Sequence, residues 1–241
     1  MYNNEHVGPP PVSSIGQANA QASTVFLAKV FNWMAIGLAL TGFTAFVTVN
    51  SQTMLQIIFG NKILFYGLMF AELGMVIYLS ARVEKISAQA ATGLFLAYSV
   101  LNGVTLSAIL LMYTMTSVAA TFFVTAGMFG AMAVYGFVTK KDLSSMGSFL
   151  FMGLIGIVIA SVVNIFLSSN MLSWMISAIG VIVFTGLTAY DVQKITRMGA
   201  MGIMEQGEAS IRKTAIMGAL SLYLDFINLF LSMLQFMGNR R

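Results

Sequence analysis

Seven runs of mostly apolar residues recur along this chain, each bounded by a short polar break. They cover Val30–Val49, Ile63–Ala81, Ala88–Met112, Val118–Val138, Ser148–Leu167, Leu172–Tyr190 and Thr214–Met237. A helix crossing a ~30 Å hydrocarbon core needs about 20 such residues, so each run predicts one transmembrane helix. The breaks at Tyr113–Ser117 and Ser168–Met171 are uncharged and very short, which predicts tight turns. Residues 1–28 are polar, contain Pro9-Pro10-Pro11 and offer few apolar groups to a core. They predict a disordered tail ahead of a seven-helix domain over 29–241. Small residues inside the runs (Gly127, Gly130, Gly153, Gly156, Ala160, Gly218) are expected to let helices approach closely.

Composition fixes the class. Hydrophobic residues make up 58% of the 241 and charged residues 8%, with a mean hydropathy of +0.86. Soluble domains carry about 25% charged residues, so this chain lacks the polar surface to face water. It reads as an all-α integral membrane protein whose surroundings are a lipid bilayer. Cysteine is absent, which excludes disulfides and thiolate metal sites. The single histidine, His6, lies in the polar tail, so no Ser–His site or histidine metal cluster forms within the membrane.

The net charge of +4 comes from short basic clusters between the apolar runs, a topology signal rather than a nucleic-acid surface. Lys29, Arg82, Lys85, Lys140, Lys141, Lys194, Arg197, Arg212 and Lys213 fall on the side of the N-terminus, against Lys62, Arg240 and Arg241 on the other. Nine against three predicts a cytoplasmic N-terminus by the positive-inside rule and, with seven spans, an outer C-terminus.

Four charged residues fall inside or at the edge of the apolar slab: Glu72, Arg82, Asp191 and Asp225. A charge in hydrocarbon is costly and is kept with a proton, an ion or a partner. Asp225 is about twelve residues into the seventh run, ~18 Å deep and near the midplane. Asp191 and Arg82 close their runs at similar depth, which makes Arg82 a candidate partner for Asp191. Straight-helix counting separates Asp191 from Asp225 by roughly 15–18 Å in depth, so contact requires a tilted or displaced helix. If the two meet, they cannot both ionise cheaply and titrate as a unit. Oxygen ligands without His or Cys favour a hard cation such as calcium, so the pair is also a candidate calcium site. Asn228 lies one turn beyond Asp225, and Asn102 and Thr105 share a face of the third run. These amides and hydroxyls either line a hydrated path or bridge helices.

The block Leu101-Asn102-Gly103-Val104-Thr105-Leu106-Ser107-Ala108 continues through Tyr113 to Phe122-Phe123-Val124-Thr125-Ala126-Gly127-Met128-Phe129-Gly130. It closes on Tyr135-Gly136-Phe137-Val138-Thr139-Lys140-Lys141-Asp142-Leu143. With Tyr190-Asp191 and Tyr223-Leu224-Asp225-Phe226-Ile227-Asn228-Leu229-Phe230, these segments resemble the Bax inhibitor-1 (transmembrane Bax inhibitor motif) family, in its bacterial inner-membrane branch. The resemblance covers residues 20–241. It implies a seven-helix fold with the last helix surrounded by the other six. It also implies a pH-sensitive calcium leak of the inner membrane, controlled by a di-aspartyl pair that matches Asp191 and Asp225. A latching arginine matches Arg82, and an acidic residue of the ion path matches Glu72. Calcium and protons are then the cargo and the signal, and no cofactor or catalytic residue is implied. Eukaryotic members often carry a longer basic tail than Arg240-Arg241, so tail-dependent partners are not carried over.

Two other readings stay open. Paired aspartates also occur in intramembrane aspartyl proteases, whose carboxylates share a proton. Those enzymes place Gly-x-Gly before the second aspartate, whereas Leu222-Tyr223-Leu224 precedes Asp225, and a Pro-Ala-Leu motif is absent because all three prolines lie in the tail. A regulatory or adaptor role acting on a membrane protease is the other reading, with Asn3–Ser23 as a docking or degradation segment.

Overall fold

The computed structural model describes residues 12–240. Eight helices follow in order: α1 (Val12–Val49), α2 (Gln52–Gly60), α3 (Lys62–Arg82), α4 (Ala88–Met112), α5 (Met115–Val138), α6 (Ser144–Leu167), α7 (Asn170–Ala200) and α8 (Glu208–Met237). A single 3-10 turn, Ile203–Glu205, links the last two. All but the short α2 are long and apolar enough to cross a bilayer. The protein is therefore an all-α bundle of seven membrane-length helices.

Side-chain caps set the breaks. Ser87, Thr114 and Ser169 accept from the backbone N–H groups of Ala90, Ser117 and Leu172, each satisfying a donor at a helix start. Ser168 ends α6 in the left-handed region, at φ 48°. Both uncharged breaks are thus tight turns, as expected. Ser51 caps α2, a helix the apolar pattern did not separate from the loop after Val49.

The last helix is the centre. In its most apolar window 56% of α8 is buried inside the bundle, against 6% for α3 and for α6. It packs on α1, α4, α5 and α7, while α3 joins through α4 and α6 through α7. Tyr223, Leu222, Leu229 and Ala219 are fully buried, and Phe226 meets Phe122 and Phe129 edge-on. Peripheral helices present Phe70, Phe149, Ile165 and Phe166 outward, which suits a lipid surround.

Close approach occurs at glycines other than most of those expected. A methyl at Gly103 would stand 2.5 Å from the Thr41 carbonyl, and one at Gly180 would stand 2.5 Å from Ser232 Oγ. Gly218 meets Val30 and Gly153 meets Val183, but Gly127, Gly130 and Gly156 face open space.

The predicted tail needs correction. Residues 12–28 are helical and continuous with the first span. Ser23, Phe26 and Leu27 are buried, and Ser23 and Phe26 lie against Gly199 near the end of α7. This docking surface exists because α7 runs ten residues past Tyr190, so α1 has a partner beyond the apolar slab. The remainder of the predicted tail, residues 1–11 with His6 and the three prolines, lies outside the described residues.

Asn239 N–H donates to Ser117 Oγ at 2.9 Å, and its carbonyl accepts from Thr114 N–H. Asn239 and Arg240 therefore lie at the α4–α5 turn, opposite the end that carries the basic cluster. Arg240 sits 5.8 Å from the Tyr113 ring centroid, a cation–π placement that accommodates a charge at the less basic end.

Candidate functional site

Helix α7 runs antiparallel to α8, with Gly180 opposite Ser232 and Ile195 opposite Gly218. This register leaves Asp191 and Asp225 about one turn apart in depth, roughly 5 Å. Helical side chains lean toward their own N-terminus, so in an antiparallel pair these two lean toward each other. Both residues face the seam that α7 and α8 share with α6. The 15–18 Å separation obtained from straight counting fails because α7 continues to Ala200 and α8 begins at Glu208, so Tyr190 and Thr214 do not mark a common plane.

Both carboxyls line a cavity of about 610 Å³ between α6, α7 and α8, together with Ser221, Asn228 and Lys194. Asp225 is 6% exposed, and its Oδ2 has no hydrogen-bond donor. One cation lines the same cavity.

That cation is Lys194, one turn after Asp191 on the same helix. Arg82 is not there. It lies exposed at the end of α3, a helix that packs on α4 rather than α7. Among the described residues the one ion pair joins Arg197 to Asp142 at 3.0 Å. No Arg82–Asp191 ion pair therefore occurs among the described residues; Val83 and Glu84, which follow Arg82, face the start of α8, where Lys213 Nζ donates to the Glu84 carbonyl.

Glu72 is separate from the aspartates. Asn102 Nδ2 donates to its Oε2 at 3.3 Å, and the Thr105 hydroxyl donates to its Oε1. Tyr223 OH donates to Asn102 Oδ1 at 3.1 Å and lies 2.7 Å from Thr41 Oγ1. Thr41 in turn reaches the Ser99 carbonyl at 2.8 Å. One hydrogen-bonded chain therefore ties α3, α4, α8 and α1 together. Asn102 and Thr105 act here as helix bridges, one of the two roles open to them. Tyr223 was missed in the sequence, although a phenol two residues before Asp225 in an apolar span was the available signal.

A second cavity of about 340 Å³ continues the first along the same seam, sharing Leu154, Phe184 and Asn228. Across both, α8 presents Ser221, Asp225, Asn228, Ser232 and Gln235. These positions are spaced by four and three residues in alternation, which places them on one helical face. No group of three or more His, Cys, Asp or Glu residues able to hold a metal occurs among the described residues. The two aspartates alone fall short of the six to eight oxygens of a resident calcium site.

The sequence model described as "Inhibitor of apoptosis-promoting Bax1" matches residues 23–241. The chain belongs to the Bax inhibitor-1 family. It is similar to the inner membrane protein YbhL of Escherichia coli strain K12, 52% identical over 232 residues that make up 96% of this chain and 98% of that relative. An uncharacterized protein of Borreliella burgdorferi is 50% identical over 217 residues, 90% of this chain and 92% of the relative. A Rickettsia prowazekii protein, also uncharacterized, is 46% identical over 219 residues, 90% of each chain. Matches of this extent align whole bundles, so the chain is a multi-pass membrane protein of the family's bacterial inner-membrane branch. Bax inhibitor-1 proteins are channel or regulatory proteins rather than catalysts.

Proposed function

We propose that this Bax inhibitor-1 protein is a proton-controlled calcium leak of the inner membrane, with Asp191 and Asp225 as its titrating pair. The observation that carries this reading is the placement of both carboxyls in one cavity, with Asp225 Oδ2 lacking a hydrogen-bond partner. Loss of the shared proton leaves two like charges in a low-dielectric seam, where their repulsion is only weakly screened. A divalent cation entering the cavity offsets that repulsion. Two carboxylates with Ser221 and Asn228 give a calcium ion too few ligands to retain it, which suits transit. The polar face of α8, from Ser221 to Gln235, is the proposed route.

Glu72 takes a different part from a pore acid beside Asp225. Through Asn102 and Tyr223 it ties peripheral α3 to central α8, so displacement of either helix disturbs the other. Arg82, at the end of that same helix, is proposed to act only when α3 moves. A cytoplasmic N-terminus is retained from the positive-inside count.

The experiment is calcium entry into proteoliposomes holding the purified protein, across a pH series at fixed membrane potential. The reading requires entry above protein-free vesicles and a rate that changes several-fold with pH. Entry no faster than in empty vesicles at every pH rejects it.

A further inference from the structure

At the basic end of the bundle, α1, α4 and α8 do not close on one another. They leave a cavity of about 600 Å³ whose walls include Lys29, Arg212 and Lys213, with Glu208 as the acid among them. Lys213 Nζ donates to the Glu84 carbonyl at 3.0 Å. Lys29 and Arg212 have no ion-pair partner among the described residues. The cavity therefore carries excess positive charge with two cations free to engage a ligand. Its other wall is apolar, with Ile211 on α8 and Trp33 one turn from Lys29 on the same face of α1.

A cationic rim above a tryptophan, at the end of membrane helices, matches the layering of a phospholipid. Phosphate meets Lys and Arg, the glycerol region meets the indole, and the acyl chains run down an apolar wall. Basic pockets between transmembrane helices at this level recognise anionic headgroups. We infer that the cleft between α1, α4 and α8 binds the phosphodiester headgroup of an anionic phospholipid through Lys29, Arg212 and Lys213, with Trp33 at the glycerol level. The site lies apart from the Asp191–Asp225 cavity and shares no lining residue with it. It stands or falls independently of the calcium reading.

The chain has two tryptophans, Trp33 and Trp174, so Trp174→Phe leaves Trp33 as the sole emitter in the cleft. This full-length variant is placed in micelles with rising fractions of brominated phosphatidylglycerol or brominated phosphatidylcholine, and quenching of Trp33 is read. Brominated phosphatidylglycerol is expected to quench at a several-fold lower mole fraction. Adding Arg212→Gln weakens that preference about five-fold, the effect of one cation at a membrane surface. Lys62→Gln, at the opposite end, leaves it unchanged. Equal quenching by the two lipids overturns the proposal, and so does an equal loss with Lys62→Gln. Inorganic phosphate is the last arm. Persistence of the preference in its presence supports a lipid ligand, whereas relief of quenching overturns the lipid in favour of a soluble phosphate.

Discussion

Tyr223→Phe removes one oxygen from the centre of the bundle and leaves the ring in place. The side chain is fully buried, with its ring edge-on to Phe95 and Tyr98 at 5.9 and 5.7 Å, so the aromatic packing survives. What is lost is the bond to Asn102 Oδ1 and the 2.7 Å contact with Thr41 Oγ1. Interhelical hydrogen bonds in membrane proteins average only about 0.6 kcal/mol, with values up to ~1.7. The Asn102 carbonyl oxygen is also left without its donor, and an unsatisfied buried acceptor costs about 1–3 kcal/mol. The two terms overlap rather than add, since Asn102 can partly re-pair with water or with Thr41, and predict a loss of about 1–2 kcal/mol. For a chain of this size that is a fall of roughly 2–8 °C in apparent melting temperature, read by size-exclusion thermostability in detergent. Coupling sharpens the test: Tyr223→Phe in an Asn102→Leu background is predicted to cost much less than in the wild type. A shift below about 1 °C, or full additivity with Asn102→Leu, refutes the chain linking α3 to α8.

Other outcomes follow from the same structure. Gly103→Ala is predicted to destabilise by about 1–3 kcal/mol, because the Thr41 carbonyl 2.5 Å from the new methyl is backbone and cannot swing away. Gly127→Ala, with open space around it, is predicted to be neutral or stabilising by up to ~1 kcal/mol through helix propensity; paired melts of the two variants check this. Asp142, in the loop before α6, is held below the ordinary carboxylate range by the hydroxyl and backbone N–H of Ser144 and then by Arg197. A depressed folded-state pKa gives stability that is present above the unfolded value of about 3.9 and lost as pH falls through the folded one. Asp142→Asn should therefore be less thermostable than wild type near neutral pH, with the two melts converging in strong acid.

Most of the architecture was legible because a bilayer demands continuous apolar runs. The seven spans and the turns at Tyr113 and Ser168 follow from that demand, and Asp225 was conspicuous because its neighbours are hydrocarbon. Extensions beyond the slab were not legible. Lys194 and Arg197 look like the end of a span, yet α7 continues through them because Gly199 receives Ser23 and Phe26 and because Gln193 bridges to the loop before α6. There its Nε2 donates to the Lys141 carbonyl at 2.7 Å, and its Oε1 accepts from Leu143 N–H at 2.9 Å. Hydropathy reads depth in a membrane but not such contacts between helices. That is also why Arg82, at a fitting depth, reads as a partner of Asp191 although no ion pair joins them among the described residues. Tyr223 escaped notice for a related reason, since a tyrosine counts toward an apolar run whether or not its hydroxyl finds a partner.

The central claim is that one proton shared by Asp191 and Asp225 controls ion passage. Its most direct test is the pH dependence of calcium entry into proteoliposomes for wild type and Asp225→Asn at matched protein density. An amide keeps the shape and a hydrogen bond to Asp191 but cannot lose its proton. The account predicts that entry varies several-fold with pH in wild type and becomes nearly flat in Asp225→Asn. An unchanged pH response in Asp225→Asn would contradict it.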